Sequence, residues 1–165
     1  MLNRKGLDIS TNAPLRSGGV TCWEGGLRVA AFARLPGKIK ANSVIDVPLW
    51  SPDLMVTSAK LSGATLPKDR VLDGRDMLSV LEGKSTVSPH KEFYFEYLKH
   101  AALRKGDWKI VRTKKDQPWQ LYNLKSDISE SNNLAEKYKD KVKDLATAFY
   151  LCFSLFRQWN LHVEP

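Results

Sequence analysis

Residues 93–124, with the sequence FYFEYLKHAALRKGDWKIVRTKKDQPWQLYNL, decide the fold. Short runs of apolar and aromatic residues bounded by turn-forming residues are typical of strands. This segment contains four such runs, at 93–97, 101–105, 108–113 and 119–124. The two-residue turn Gly106-Asp107 separates the middle pair and indicates a β-hairpin. The segment therefore predicts a small antiparallel four-stranded sheet.

A long amphipathic helix is predicted after the sheet. Asn133, with Glu136 three residues later, resembles a capping box that opens a helix. Apolar side chains then recur every three or four residues, which is the period of a helix with one buried face. They are Leu134, Tyr138, Val142, Leu145, Phe149, Phe153 and Phe156. Beyond Phe149 nearly every face is apolar, so we expect that end to be covered by protein.

The upstream half has a different character. Residues 1–26 have loop composition, and residues 27–35 are predicted to form a strand ahead of a Pro36-Gly37 turn. Residues 51–63 predict a helix with Ser51 as its N-cap and Gly63 as its stop. A shorter helix is expected from Asp76 to Glu82, and residues 84–92 have linker composition. We therefore place one domain at 1–88 and a second at 89–165.

Composition limits the classes of protein that this chain can belong to. The 165 residues are 42% hydrophobic, and 26 Lys+Arg against 18 Asp+Glu give a net charge of +8. The N-terminus has no apolar run typical of a secretory signal. The most apolar stretch, 149–156, is well short of the ~20 residues that span a bilayer. We expect a soluble chain with no membrane partner.

The positive charge raises the question of a polyanionic partner. Its densest patch comprises Arg104, Lys105, Lys109, Arg112, Lys114 and Lys115. Nucleic-acid binding would need aromatic side chains interleaved with these bases on one face, whereas the aromatic residues here occupy strand positions that usually form core. We expect no nucleic-acid partner, and a solvated hairpin face or a polyanion-binding hairpin remain alternatives.

The residues alone indicate no self-sufficient active site. His90, His100 and His162 lack the spacing of a zinc site, and Asp69, Asp73 and Asp76 do not match a calcium loop. Cys22 has no histidine close in sequence to activate it. Cys152 lies on an apolar helix, and both cysteines are treated as free. We therefore predict no catalytic and no metal-binding residues.

Six segments, taken in order, resemble the sulfatase family. Pro14-Leu-Arg-Ser-Gly-Gly-Val-Thr-Cys-Trp-Glu-Gly-Gly-Leu-Arg-Val29 is similar to the sulfatase pattern Leu-Arg-Gly-Gly-Lys-Gly-Thr-Thr-Trp-Glu-Gly-Gly-x-Arg-Val-Pro. The likeness continues through Arg34-Leu-Pro-Gly-Lys-Ile-Lys40, through the helix 51–64, and through Leu72-Asp-Gly-Arg-Asp76. It ends with Gly106-Asp-Trp-Lys-Ile110 and residues 120–135. Each motif alone is modest, but six in the family's order are specific for arylsulfatase-like enzymes of the alkaline-phosphatase-like superfamily.

The resemblance implies an α/β fold and a fragment of a larger enzyme. Sulfatases have a large α/β domain followed by a smaller domain of four antiparallel strands and a C-terminal helix. Residues 1–88 then correspond to the incomplete end of the large domain, and the fragment as a whole is α+β. In the complete family enzyme, a formylglycine nucleophile and calcium ligands lie upstream of the Trp-Glu-Gly-Gly segment. The resemblance therefore implies a sulfuric ester hydrolase that is inactive without its N-terminal portion.

The resemblance also implies where this chain departs from the family and where substrate binds. An ungapped alignment puts Gly19 where sulfatases have a sulfate-binding lysine. The smaller domain of sulfatases lends side chains to the mouth of the active site, and we assign His100 and Arg104 to that role. The substrate implied is an aryl sulfate, a sulfated glycan or a glycosaminoglycan. Full-length relatives are usually periplasmic, extracellular or lysosomal. A degenerate module that binds sulfated polyanions is the alternative.

Overall fold

In the computed structural model, which describes residues 11–160 and side chains up to residue 155, four antiparallel strands form one sheet in the order β1-β2-β3-β4. The strands are β1 (Phe93–Tyr97), β2 (His100–Lys105), β3 (Trp108–Arg112) and β4 (Gln120–Asn123). The predicted hairpin is confirmed, with Lys105 opposite Trp108 and Gly106 at φ +59° in the turn.

The two faces of the sheet bury different neighbours. One face packs Leu103, Ile110 and Leu121 against the C-terminal helix α4 (Lys139–Asn160) through Leu145 and Phe149. The other face packs Ala102, Val111, Tyr122 and Leu124 against Cys22 and Trp23 of the upstream segment. Alternate residues of each strand therefore contact the helix and the upstream segment, as the period of two requires.

The start of α4 differs from the prediction. The helix begins at Lys139 rather than at Asn133. The Asn133 side chain instead accepts hydrogen bonds from the Leu121 and Ala135 amides, at 3.0 and 3.1 Å. The Asn133 side chain therefore holds the connection to β4, and the helix begins six residues later, at Lys139.

The apolar end of α4 is not covered within the described residues. Phe149 is 1% exposed, whereas Tyr150 is 50% exposed and Leu151 and Leu155 are each 61% exposed. The expectation that protein covers this end is therefore wrong for the described part of the chain. The side chain of Phe156, the last member of the predicted stripe, lies outside the described residues.

Residues 30–91 form a compact unit of their own. Its helices are α2 (Asp53–Ser62) and α3 (Leu78–Leu81), each followed by a left-handed glycine, Gly63 at φ +73° and Gly83 at φ +72°. Gly63 is confirmed as the predicted stop of α2. Ser51 is not the N-cap of α2, because Pro52 holds that position.

The predicted strand at 27–35 is wrong. Glu24–Leu27 forms a single helical turn, α1, and residues 28–35 have neither helix nor strand. Val29 is 83% exposed and Phe32 is 97% exposed. No strand lies beside this segment within the described residues, so its backbone has no ladder to join.

The second compact unit combines the segment up to Val29 with the chain from Glu92 onward. The domain boundary between residues 88 and 89 stays a prediction. Residues 1–8, on which the expectation about a secretory signal rests, and His162 lie outside the described residues. Within the described residues, no helix is both long enough and apolar enough to cross a bilayer.

Candidate functional site

The upstream segment that carries the Trp-Glu-Gly-Gly motif folds into a tight loop ending in α1. The Gly25 amide donates to the Arg16 carbonyl oxygen at 3.0 Å. A Cβ atom at Gly25 would lie 2.4 Å from the Ser17 carbonyl oxygen, and one at Gly26 would lie 2.4 Å from the Thr21 carbonyl oxygen. These neighbours are backbone atoms that cannot swing away. The loop therefore requires glycine at both positions.

Arg16 and Trp23 attach this loop to the sheet. The Arg16 guanidinium lies 3.7 Å from the centroid of the Trp23 ring. It also donates to the Tyr122 hydroxyl at 3.2 Å and to the Glu130 carbonyl oxygen at 2.8 Å. The Trp23 and Tyr122 rings meet edge to face with centroids 5.8 Å apart. The motif's arginine and tryptophan thus pack on β4 and on the loop that follows it.

A buried ion cluster, which we define as Glu24, Lys109 and Glu130, completes the attachment. The Lys109 Nζ lies 2.8 Å from Glu24 Oε1 and 2.8 Å from Glu130 Oε1. Lys109 and Glu130 are 0% exposed, and Glu24 is 2% exposed. The Glu24 amide donates to Glu130 Oε2 at 2.7 Å, and Arg28 Nε donates to Glu24 Oε2 at 2.6 Å. The cluster joins α1, β3 and the loop after β4 at one buried point.

The pKa values of the two carboxyl groups in the ion cluster shift in opposite directions. Burial on its own would raise the pKa of Glu24, but Lys109 and Arg28 outweigh it and leave this pKa below its ordinary value. Burial raises the pKa of Glu130 above its ordinary value, because Lys109 and the Glu24 amide do not fully offset it. Glu24, which has both Lys109 and Arg28 beside it, is therefore the carboxyl group whose ionised form the protein favours.

The two predicted substrate-binding residues lie on the same face of β2 but are not brought together. They are four residues apart, which is roughly 14 Å along a strand. Arg104 Nε donates to the Gly106 carbonyl oxygen at 2.9 Å, and its Nη1 lies 3.8 Å from Glu24 Oε2. The Arg104 side chain is only 14% exposed. Arg104 is therefore held by the protein, whereas His100 borders an open pocket.

That pocket, which we call the basic pocket, has a volume of about 590 Å³. It is lined by Leu98, Lys99, His100, Thr113 and Lys114. The pocket lies where the β1–β2 turn meets the end of β3, because His100 is the first residue of β2 and Thr113 follows β3 directly. The His100 Nδ1 atom is buried and has no hydrogen-bond partner among the described residues.

Half of the predicted basic hairpin patch is engaged internally. Lys109 belongs to the ion cluster, and Arg104 is held as described above. The Arg112 guanidinium lies 4.4 Å from the Trp119 ring centroid, and its Nη1 donates to the Tyr150 hydroxyl at 3.2 Å. Lys105, Lys114 and Lys115 are the exposed cations of this patch. The hairpin therefore does not present six cations to a polyanion.

In the compact unit 30–91, the Asp53 side chain is fully buried. Its carboxylate accepts from the Trp50 and Arg75 amides, each at 2.8 Å, and lies 2.7 Å from His90 Nε2. A Cβ atom at Gly74 would lie 2.3 Å from the Pro52 carbonyl oxygen. The Asp-Gly-Arg-Asp motif thus packs against the start of α2, and Asp53 is a structural residue.

The family model described as N-sulphoglucosamine sulphohydrolase, C-terminal, matches residues 21–150. The chain belongs to this sulfatase family. The matched range contains all four strands and the ion cluster. The sulfatase resemblance and the mixed fold of helices with a four-stranded antiparallel sheet are thereby confirmed.

Sulfatases from several sources are similar to this chain, and the length of the similar region differs between them. Human steryl-sulfatase is 47% identical over 87 residues, which are 53% of this chain and 15% of that protein. A sulfatase of Formosa agariphila is 31% identical over 155 residues, which are 83% of this chain and 28% of that protein. The crystal structure of Ps i-CgsB in complex with k-i-k-neocarrahexaose matches with a TM-score of 0.77 at 31% identity, covering 86% of this chain and 32% of that one. The chain therefore spans less than a third of these relatives.

Sulfatases generally use calcium and a formylglycine, and the described residues fit neither. No group of three or more His, Cys, Asp or Glu side chains within them could hold a metal ion. Cys22 lacks the Pro and Arg of the formylglycine motif and is 1% exposed. Burial raises the pKa of its thiol to about 11, although nearby Lys109 opposes the shift. Cys22 is therefore an enclosed, protonated core residue.

Sequence reasoning missed the ion cluster. The sequence places Lys109 in the basic hairpin patch and gives Glu24 and Glu130 no role as its partners. One signal was available: Lys109 shares its strand face with Val111, so the alternation of β3 places it inward. A lysine at an inward position requires an acidic partner. The partners come from segments 85 and 21 residues away in sequence, which no local pattern connects.

Proposed function

We propose that the chain is the C-terminal part of a sulfatase and that it contributes to sulfuric ester hydrolysis only with an upstream portion. That portion would supply the nucleophile and the calcium ligands. The observation that carries the proposal is the attachment of the Trp-Glu-Gly-Gly segment to the four-stranded sheet through Glu24, Lys109 and Glu130. Breaking such a buried ion cluster is strongly destabilising, so the cluster couples the Trp-Glu-Gly-Gly segment to the four-stranded sheet.

The coverage of the relatives supports an upstream portion. The chain matches 28% of the Formosa sulfatase and 32% of Ps i-CgsB. The matching motifs all belong to the later part of the family pattern. We assign residues 1–88 to the end of the large α/β domain and residues 89–165 to the small domain, as the motifs indicate.

For substrate contact we propose His100 and Arg104, with different roles. His100 borders the basic pocket and has an unpartnered buried nitrogen, so it is the residue that contacts substrate. Arg104 is held near Glu24, and its role is to contact substrate at the other end of the same face of β2. The candidate substrates are an aryl sulfate, a sulfated glycan or a glycosaminoglycan. The neocarrahexaose in the Ps i-CgsB structure supports an oligosaccharide.

In this proposal Gly19 lowers the rate of the enzyme formed with the upstream portion, because it stands where sulfatases have a sulfate-binding lysine. A Cβ atom at Gly19 would have nothing within 4 Å, so a larger side chain fits there. Loss of one charge-assisted contact to developing negative charge costs about 10²–10³ in rate. Gly19→Lys should therefore raise the rate when the upstream portion is present.

The test compares the purified chain with the same chain joined to a sulfatase N-terminal portion that carries formylglycine. The chain alone should hydrolyse 4-nitrophenyl sulfate no faster than buffer, with or without calcium. The joined protein should hydrolyse it, and Gly19→Lys should increase kcat. Turnover by the chain alone that a chelator abolishes would contradict the proposal.

A further inference from the structure

Two lysines that line the basic pocket, Lys99 and Lys114, have no acidic partner among the described residues. Both are exposed. The register of β2 and β3 brings them together. Ala101 lies opposite Arg112, so Lys99 and Lys114, each two residues beyond this pair, lie at the same end of the two strands. Two ammonium groups at one opening with no carboxylate between them attract an anion.

His100 adds a directional group to these charges. Its Nδ1 atom is buried and lacks a hydrogen-bond partner among the described residues, and His100 is one of the residues that line the pocket. Buried polar atoms without a partner are rare, and a bound ligand is one of the things that satisfies them. An anionic oxygen in the pocket would accept a hydrogen bond from this nitrogen and lie near both lysines.

Leu98 adds an apolar edge to the pocket. It is 83% exposed and lies in the left-handed region at φ +54°. That conformation is unfavourable for a residue with a Cβ atom. The turn therefore holds an apolar side chain in solvent beside the cations. A sugar ring with a charged substituent presents an apolar face and an anion in the same arrangement.

We propose that the basic pocket binds a second, non-reacting anionic group of an oligosaccharide, so that the substrate carries at least two acidic groups. This rests on the proposed function, because the reacting sulfate ester has to lie at a nucleophile outside the described residues. A substrate with a single sulfate on an uncharged body would leave Lys99 and Lys114 unpaired. The pocket therefore selects sulfated or uronate-bearing glycans over simple aryl or steryl esters.

The first experiment measures binding to the full chain by calorimetry. The probes are a chondroitin sulfate hexasaccharide, its desulfated form and inorganic sulfate. Lys99→Gln/Lys114→Gln should weaken hexasaccharide binding at least tenfold, since each contact to a charged group contributes about tenfold or more. The matched control, Lys105→Gln/Lys125→Gln, removes the same charge at the other end of the sheet and should change affinity less than threefold.

The probes also separate sulfate from carboxylate recognition. Retained binding of the desulfated form would assign the second acidic group to a uronate, and lost binding would assign it to a sulfate. Equal weakening in both double variants would mean that only net charge matters, which would overturn the pocket assignment. Undetectable binding of all three probes to the wild-type chain would overturn it as well.

Variants at His100 test the directional contact. Asparagine places an amide nitrogen near the position of Nδ1, whereas glutamine places it near Nε2. His100→Asn should therefore retain hexasaccharide affinity, and His100→Gln should lose it. Equal loss in the two variants, with unchanged folding by circular dichroism, would contradict a hydrogen bond from Nδ1.

A second experiment separates this inference from the function on which it rests. In the joined protein, Lys99→Gln/Lys114→Gln should raise KM for the sulfated hexasaccharide at least tenfold. If the joined protein hydrolyses the ester and KM is unchanged, the pocket assignment fails and the proposed function stands. If it hydrolyses nothing while the pocket variant still loses hexasaccharide binding, the proposed function fails and the pocket assignment stands.

Discussion

Strand β3 and the segment 28–35 are both rich in apolar residues, yet they differ completely in burial. Ile110 and Val111 are each 0% exposed, whereas Val29 and Phe32 are 83% and 97% exposed. β3 has β2 and β4 on its two edges, and both are reached by short connections. The segment 28–35 has no neighbouring strand among the described residues. Apolar composition therefore marks a strand only where the same chain supplies the hydrogen-bond partners.

The same comparison explains why the upstream loop packs on the sheet and the next segment is exposed. Residues 12–27 contain Arg16, Trp23 and Glu24, whose partners lie on β3, β4 and the loop after β4. Among the described residues, no such contact is found for the residues just after Arg28. Burial along this part of the chain ends where the polar and aromatic contacts to the sheet end.

Hydrogen exchange should reveal the largest difference between the two regions. Amides of β2 and β3 should open only with global unfolding, while those of 28–35 should exchange almost freely. We expect exchange rates at least ~10³ apart on the monomeric chain. Residues 24–27 should exchange at intermediate rates. Strong protection across 28–35 in a monomer would show that this segment has found a partner, and it would contradict the comparison.

Removal of the Lys109 charge should lower the free energy of unfolding of the region that contains the sheet. Lys109→Met removes the cation that Glu24 and Glu130 share and leaves Glu24 with Arg28 as its nearest cation. Breaking such a buried pair costs about 3–5 kcal/mol. The free energy of unfolding in urea measures the loss. The control is Lys139→Met, because the Lys139–Glu136 pair has 76% and 92% of its side chains exposed and should change stability by less than about 0.5 kcal/mol.

If Lys109→Met does not fold, a triple variant still tests the role of the ion cluster. Glu24→Gln/Lys109→Met/Glu130→Gln removes all three charges, and replacement of a complete buried cluster is often tolerated. It should be more stable than Lys109→Met. If both Lys109→Met and the exposed control change stability equally little, the ion cluster does not hold the segment to the sheet.

Local patterns were sufficient for the small sheet and its helix. The Gly106-Asp107 turn fixes the register of β2 and β3, and the stripe through Leu145 and Phe149 identifies the face of α4 that packs on the sheet. Gly63 and Gly83 mark helix ends because few other residues adopt positive φ easily. Each of these features depends on residues close together in sequence.

Three features could not be predicted in the same way because they depend on distant contacts. Asn133 has the composition of a helix cap, but the Leu121 amide uses its side chain. Residues 27–35 have the composition of a strand and lack a neighbour. The contacts of Arg104 with Glu24 and with the Gly106 carbonyl oxygen are not evident from the sequence, and its role in substrate binding stays a prediction. The basic pocket likewise forms only when the β1–β2 turn and the end of β3 meet.

The smallest effect that we predict distinguishes two glycines in the upstream loop. A methyl group at Gly25 would lie 2.4 Å from the Ser17 carbonyl oxygen and 2.5 Å from the Arg16 carbonyl oxygen, whereas one at Gly19 would have nothing within 4 Å. Gly25→Ala must therefore shift the backbone that carries Arg16 and Glu24, and such overpacking costs about 1–3 kcal/mol. Gly19→Ala should be neutral within about 0.5 kcal/mol. Urea unfolding gives both values, and hydrogen exchange should show faster opening of residues 24–27 only in Gly25→Ala. Equal stability of the two variants would mean that the loop is not held tightly to the sheet, and the contrast between residues 12–27 and residues 28–35 would then lose its basis.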